Sequence, residues 1–90
     1  MKIEYDPAKR HDTFTHRGLD MALAGEVFDG PVFEFADERG SYGEPRFITA
    51  GLLNGRLVIL VWTPRGAARR IISMRKANER EQKTYQPRLG

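Results

Sequence analysis

Hydrophobic residues fall in two different periods along this chain, and the change comes near residue 31. Before it the spacing is helical. Asp6-Pro7 reads as a helix start, because the Asp side chain can cap free amides and proline needs no donor at the first position. That helix is expected to run to about Arg17, with Gly18 as its left-handed terminator. A second helix should carry Leu19, Leu23 and Val27 on one stripe, with Ala24 and Phe28 beside it, and end at Gly30-Pro31. Ahead of both, Ile3 and Tyr5 alternate with Lys2 and Glu4, a short strand signal.

After residue 31 the period is two. Val32 to Asp37 reads as a strand, and Glu38 to Gly43 as a loop. Arg46–Leu53 and Arg56–Thr63 flank Asn54-Gly55, the strongest short-range hairpin signal. Arg56–Thr63 is apolar on both faces, which places it inside the sheet. Pro64-Arg65-Gly66 is the expected next turn and Arg69–Met74 the last strand. Lys76–Gln86 reads as a polar helix stopped by Pro87. The fold class is α+β: an N-terminal strand and two helices packed on a mainly antiparallel four- to five-stranded sheet, with a C-terminal helix. One domain over residues 1–90 accommodates all of it.

The two-residue turn also sets which side chains share a face. Arg46, Ile48, Ala50 and Leu52 join Leu57, Ile59, Val61 and Thr63, while Phe47, Thr49, Leu53, Val58, Leu60 and Trp62 take the other side. The bulkier second set should cover the N-terminal helices. If the next loop spans Pro64–Ala68, then Arg69, Ile71, Ser73 and Arg75 lie with Arg46; a slip of one residue exchanges them for Arg70, Ile72 and Met74.

Charge sharpens this picture. Residues 1–45 carry ten acidic and five basic side chains, and residues 46–90 carry two acidic and ten basic ones. No Asp or Glu lies between Glu44 and Glu79, where Arg46, Arg56, Arg65, Arg69, Arg70 and Arg75 all fall. A positive block of this kind points to an anionic partner, and arginine suits phosphate through its bidentate fork. Cysteine is absent, which excludes disulfides and thiolate chemistry. The charged N-terminus is not that of a signal peptide, and the longest apolar run, Leu57–Trp62, is too short for a bilayer. A cytoplasmic location without membrane contact is expected. His11 and His16 lack a third ligand of suitable spacing, so neither a metal site nor a cofactor is expected. Trp62 reads as core, Tyr85 as either helix anchor or site residue, and Glu79, Arg80, Glu81 and Lys83 as a solvated helix face. From the residues alone, an RNA surface, a catalytic site and a protein-binding face all stay open.

Several segments resemble the BrnT family of toxins. They are Tyr5-Asp6-Pro7-Ala8-Lys9, Arg17-Gly18-Leu19-Asp20, Gly43-Glu44-Pro45-Arg46-Phe47, Thr63-Pro64-Arg65-Gly66 and, most specifically, Arg70-Ile71-Ile72-Ser73-Met74-Arg75-Lys76-Ala77 with Tyr85 behind it. The resemblance implies a RelE-like fold and a ribonuclease toxin of a type II toxin–antitoxin pair. It further implies a BrnA-like antitoxin with a ribbon-helix-helix DNA-binding domain, so that operator DNA is reached only through the antitoxin. Taken with the basic face, it makes Arg46, Arg65, Arg75 and Tyr85 candidate catalytic residues, and Arg69, Arg70, Ser73 and Lys76 candidate RNA contacts. Where the family often has Lys-His-Gly, this chain has His16-Arg17-Gly18. Because phosphate contacts release condensed counterions, RNA affinity should fall steeply with salt. Binding that stays level across a salt titration would count against a phosphate-led surface.

Overall fold

The structure, a computed structural model, describes residues 1–90. Asp6 accepts from the Ala8 amide at 2.9 Å and Pro7 opens the first helix, α1 (Pro7–Arg17), behind the short strand β1 (Lys2–Glu4). Gly18, at φ 68°, ends the helix in the left-handed region. The expected second helix is divided. Asp20 caps a separate 3₁₀ turn at Met21–Leu23, and α2 covers only Ala24–Asp29. A 3₁₀ turn has three residues rather than 3.6, so the stripe rotates. Met21 becomes buried, and Leu23, expected in the core, is 37% exposed.

Five strands form one sheet in the order β1-β5-β4-β3-β2, with β2 (Val32–Ala36), β3 (Phe47–Leu53), β4 (Arg56–Arg65) and β5 (Ala68–Lys76). All neighbouring pairs are antiparallel except β1 with β5. The Asn54-Gly55 hairpin sets the expected register, with Leu53 opposite Arg56 and Phe47 opposite Trp62. The following turn differs from expectation. Pro64 and Arg65 continue β4, and the reversal is a second two-residue turn at Gly66-Ala67 that places Arg65 opposite Ala68. Pro64 is tolerated there because it lies past the Phe47–Trp62 end of the β3–β4 ladder, so β4 is an edge on that side, and its strand partner is Arg69 of β5.

β4 is buried continuously from Leu57 to Thr63. One face packs Val58, Leu60 and Trp62 on Met21, Ala24 and Val27 from the N-terminal helical segments. The opposite face packs Leu57, Ile59 and Val61 with Ile48, Ala50 and Ala77, closed by Tyr85 and Leu89 from the C-terminal segment. Trp62 donates its indole N–H to Thr49 at 2.8 Å, and Thr49 donates to Glu34 at 2.6 Å, so the buried polar atoms of the first core are satisfied.

A bulge interrupts β5. Val61 lies opposite Ser73 but Trp62 lies opposite Ile71, which makes Ile72 the extra residue. The strand therefore changes phase midway. Ser73 and Arg75 take the face expected for them, Ile71 joins the helix-side core, and Arg70 comes opposite Thr63. Arg69, expected beside Arg46, stacks instead on Phe28 and Trp62, its guanidinium carbon 4.4 and 4.5 Å from the ring centres. β1 pairs only with Ala68–Arg70. Beyond it, α1 covers the open edge of β5, as Lys9 donates to the Ile72 carbonyl at 3.1 Å and Arg17 to that of Met74 at 2.9 Å.

The last strand also runs two residues further than expected, to Lys76. The helix α3 (Glu79–Tyr85) starts at Asn78, whose side chain and that of Glu81 form a reciprocal capping box. Gln86-Pro87-Arg88 then tightens into a 3₁₀ turn. No helix is long and apolar enough to cross a membrane.

Gly51 marks the tightest contact between α2 and the sheet. A Cβ there would sit 2.6 Å from Val27 Cγ1 and 3.2 Å from Val32 Cγ1. Val27 is fully buried and β-branched, so it cannot swing aside. Gly51→Ala should therefore destabilise the fold by about 1–3 kcal/mol, as overpacked cores do. A denaturation midpoint equal to that of the parent chain would show that α2 yields.

Candidate nucleic-acid interface

The candidate residues do not form one cluster. Arg46, Arg65, Arg70 and Thr63 gather with Lys9 and Glu44 around a cleft of about 220 Å³. The β3–β4–β5 register creates this group, because Arg46 directly precedes β3, Thr63 lies opposite Arg70, and Arg65 ends β4. Thr63 spends its hydroxyl on the Pro45 carbonyl at 2.6 Å, which pins the segment entering β3. Arg46 stacks on the Tyr42 ring at 4.0 Å and donates to Glu44 at 3.2 Å. The other Glu44 oxygen is 3.9 Å from Arg65, and Arg70 is 3.9 Å from Glu4.

Ser73, Arg75 and Tyr85 meet in a second cleft, of about 270 Å³, on the sheet face away from the N-terminal helices. Its floor is apolar, made by Ile48, Ile59 and Val61, and the loop after β2 supplies Asp37, Glu38 and Arg39 to its wall. Arg75 donates to both Glu81 oxygens at 2.7 Å. This pairing holds the Glu81 carboxyl below its usual range, since ionised Glu81 accepts both bonds. Tyr85 lies among Phe33 and Phe35, with ring centres 5.7 Å apart in each pair, so its ring anchors α3. The hydroxyl is not needed for that packing. Asp37 is the most enclosed acid of the wall, its side chain without exposure, and it accepts from Arg39 Nε and Nη2 at 2.7 and 2.8 Å. Those bonds lower its pKa from 3.8 to about 2.

The two remaining candidates stand apart. Arg69 lies on the helix side, 3.6 Å from Glu34, and Lys76 is exposed at the end of β5. The stretch without acids is therefore not without them in space. Glu4 and Glu34 from the acidic half and Glu81 from the last helix each approach one of its arginines, and Glu44 approaches two. Sequence reasoning assigned Glu81 to a solvated helix face. Glu79, Arg80 and Lys83 are exposed and fit that description, with Glu79 and Lys83 3.4 Å apart, whereas Glu81 does not. Arg39 and Glu44 were missed as well, because both lie in the acidic half; the local signal was Asp37 two residues before Arg39, a spacing that can fold into a side-chain turn.

A family model described as the ribonuclease toxin, BrnT, of type II toxin–antitoxin systems matches residues 5–81. The chain belongs to this family. Among curated proteins no match was found. The BrnT match ends at Glu81, so it takes in both clefts except for Tyr85. Arg17, at the position where the resemblance expects histidine, donates to the Met74 carbonyl and latches α1 to β5.

Asp37 and Glu81 both have lowered pKa values in the folded chain, so the unfolded chain binds protons first as pH falls. Their stabilisation is complete above the unfolded carboxylate range and is lost as pH drops toward the folded values, about 2 for Asp37. Denaturation midpoints should hold steady from pH 7 to about 5 and decline below that. Asp37→Asn should flatten the decline between about pH 4 and 2; an unaltered slope would remove Asp37 from the account.

Proposed function

We propose that the chain cleaves RNA without a metal cofactor, and that a ribbon-helix-helix antitoxin neutralises it by laying an acidic or amphipathic segment over the basic face. The observation that carries this reading is the meeting of Arg75, Ser73 and Tyr85 in one cleft. Metal-free cleavage uses the RNA 2′-hydroxyl as nucleophile on the adjacent phosphate, and the charge gathering on that phosphate needs fixed donors. A guanidinium has five N–H donors. Glu81 takes two of those on Arg75 and fixes the fork, leaving three for phosphate oxygens. Ser73 and the Tyr85 hydroxyl supply further polar contacts from β5 and α3.

Proton transfer falls to other groups. Asp37 and Glu81 are each committed to an arginine, which holds them ionised and makes them poor acceptors. Glu38, Ser73 and Tyr85 are the cleft residues with a side-chain oxygen free of such pairing, and of these Glu38 and Tyr85 are the candidates to move a proton. Arg46, Arg65 and Arg70 would bind flanking phosphates in the first cleft, and Lys76 would extend the charge at the far end of β5. Arg69, stacked on the helix side, has no part in this surface.

Induction of the chain alone in bacteria tests the proposal. Growth should stop and RNA should fragment. Arg75→Ala should slow cleavage about 10²- to 10³-fold, the loss typical of a transition-state donor. Tyr85→Phe keeps the ring among Phe33 and Phe35, so its melting should match the parent while toxicity falls if the hydroxyl contacts phosphate. Full growth inhibition by a folded chain lacking Arg46, Arg65 and Arg75 would end the ribonuclease reading. A folded, abundant and harmless parent chain would instead identify a silent antitoxin-binding subunit.

A further inference from the structure

Arg39 belongs to the acidic half of the chain and to none of its basic runs, yet its guanidinium is held on the wall of the second cleft by two bonds nearly as short as those that hold Arg75. Its side chain is 64% exposed, while that of its partner Asp37 has no exposure. An unpaired carboxylate so enclosed would be strongly unfavourable, so Asp37 requires this arginine. The backbone reinforces the arrangement. The Asp37 amide donates to the Arg46 carbonyl at 2.8 Å, the Arg39 amide donates back to Asp37 Oδ1 at 3.2 Å, and the Tyr42 hydroxyl donates to Oδ2 at 3.4 Å. Asp37 thus occupies one edge of the Arg39 fork, and three of the five donors remain free.

Those free donors share the cleft with Arg75, Ser73 and Tyr85. Both guanidinium-bearing side chains line this one cleft, Arg39 from the loop after β2 and Arg75 from β5. Each has its own carboxylate, on the side of Asp37 for one and of Glu81 for the other. Two like charges held toward one space by separate anchors form a receptor for a further anion. A phosphodiester matches the pair, because each guanidinium can take a different oxygen and the attraction grows as charge develops in the transition state.

We propose that Arg39 is a second ligand of the RNA phosphate held by Arg75, with Asp37 as its positioning residue; this rests on the RNA-cleavage reading above. The site takes one backbone phosphate between an arginine from the loop after β2 and one from β5. Arg46, Arg65 and Arg70 serve the neighbouring phosphates and not this one.

A 2′-O-methyl oligoribonucleotide, which binds but offers no nucleophile, separates binding from cleavage. Its affinity for the purified chain is measured over a salt series for the parent, Arg39→Gln, Arg39→Lys and the double variant Asp37→Asn with Arg39→Gln. The double variant matters because Arg39→Gln alone strands a buried carboxylate and can unfold the loop. Arg39→Gln and the double variant should each bind about tenfold more weakly, the loss of one charge-assisted contact. Their salt slope should fall by about 0.7, the value for one phosphate on a single strand. Arg39→Lys should restore the slope, since it keeps the charge, but recover affinity only in part. Parent-like affinity and slope in a folded double variant would overturn the proposal, as would failure of the parent chain to bind the probe. A parent that binds the probe but leaves unmodified RNA intact would instead defeat the cleavage reading while the place of Arg39 stands.

Discussion

The architecture depends on a strand that is apolar on both faces. From Leu57 to Thr63 every residue of β4 is buried, so both sides of the sheet need a cover. Helical segments from the first third of the chain supply one, and the C-terminal segment with Ala77, Tyr85 and Leu89 supplies the other. The two covers differ in weight. The first core includes ten buried residues and the second six, so the second face is only partly closed, and its remainder is the cleft of Arg75. A cleft on this face follows from the incomplete cover that so short and polar a helix provides.

The bulge at Ile72 distributes the basic residues. In an unbroken strand, residues of one parity share a face, so Arg69, Ser73 and Arg75 would lie together. The extra residue releases that constraint. It turns Arg69 toward Phe28 and Trp62, where its charge lies on aromatic rings, and brings Arg70 opposite Thr63 near Arg46. One inserted residue thereby moves one arginine into a structural role and another to the surface beside Arg65.

Much of this was legible in the sequence. Asn54-Gly55 fixed the β3–β4 register without ambiguity, because a two-residue turn admits one pairing. Asp6-Pro7 and Gly18 bounded α1 through chemistry confined to neighbouring residues. The losses occurred where a choice was made at long range. The Ile72 bulge depends on packing of β5 against β4, and nothing in Arg70-Ile71-Ile72-Ser73 shows which residue will be the extra one. α3 starts later than its polar composition suggests because Asn78 and Glu81 form a capping pair, a signal that is local. For the site, the residue types Arg75, Ser73 and Tyr85 could be named, but their separation from Arg46 and Arg65 depended on the fold.

The carboxylates beside the arginines bear on how such a surface can function at all. Free arginine side chains carry about 2 kcal/mol of rotamer entropy, part of which is lost on every contact with an anion. Glu81 on Arg75, Asp37 on Arg39 and Glu44 beside Arg46 and Arg65 remove that freedom before an anion arrives. Each also lowers the net positive field, which weakens attraction at a distance. The geometry shows which effect dominates at each site. Where the pair is bidentate at 2.7–2.8 Å, as for Arg75 and Arg39, the carboxylate engages two donors and leaves the rest directed. Glu44, at 3.2 and 3.9 Å from its two partners, orients neither as firmly. Rigid forks suit the phosphate whose charge changes during reaction, where misplacement is most costly. Looser cations suit phosphates that are only held, because there charge alone is sufficient.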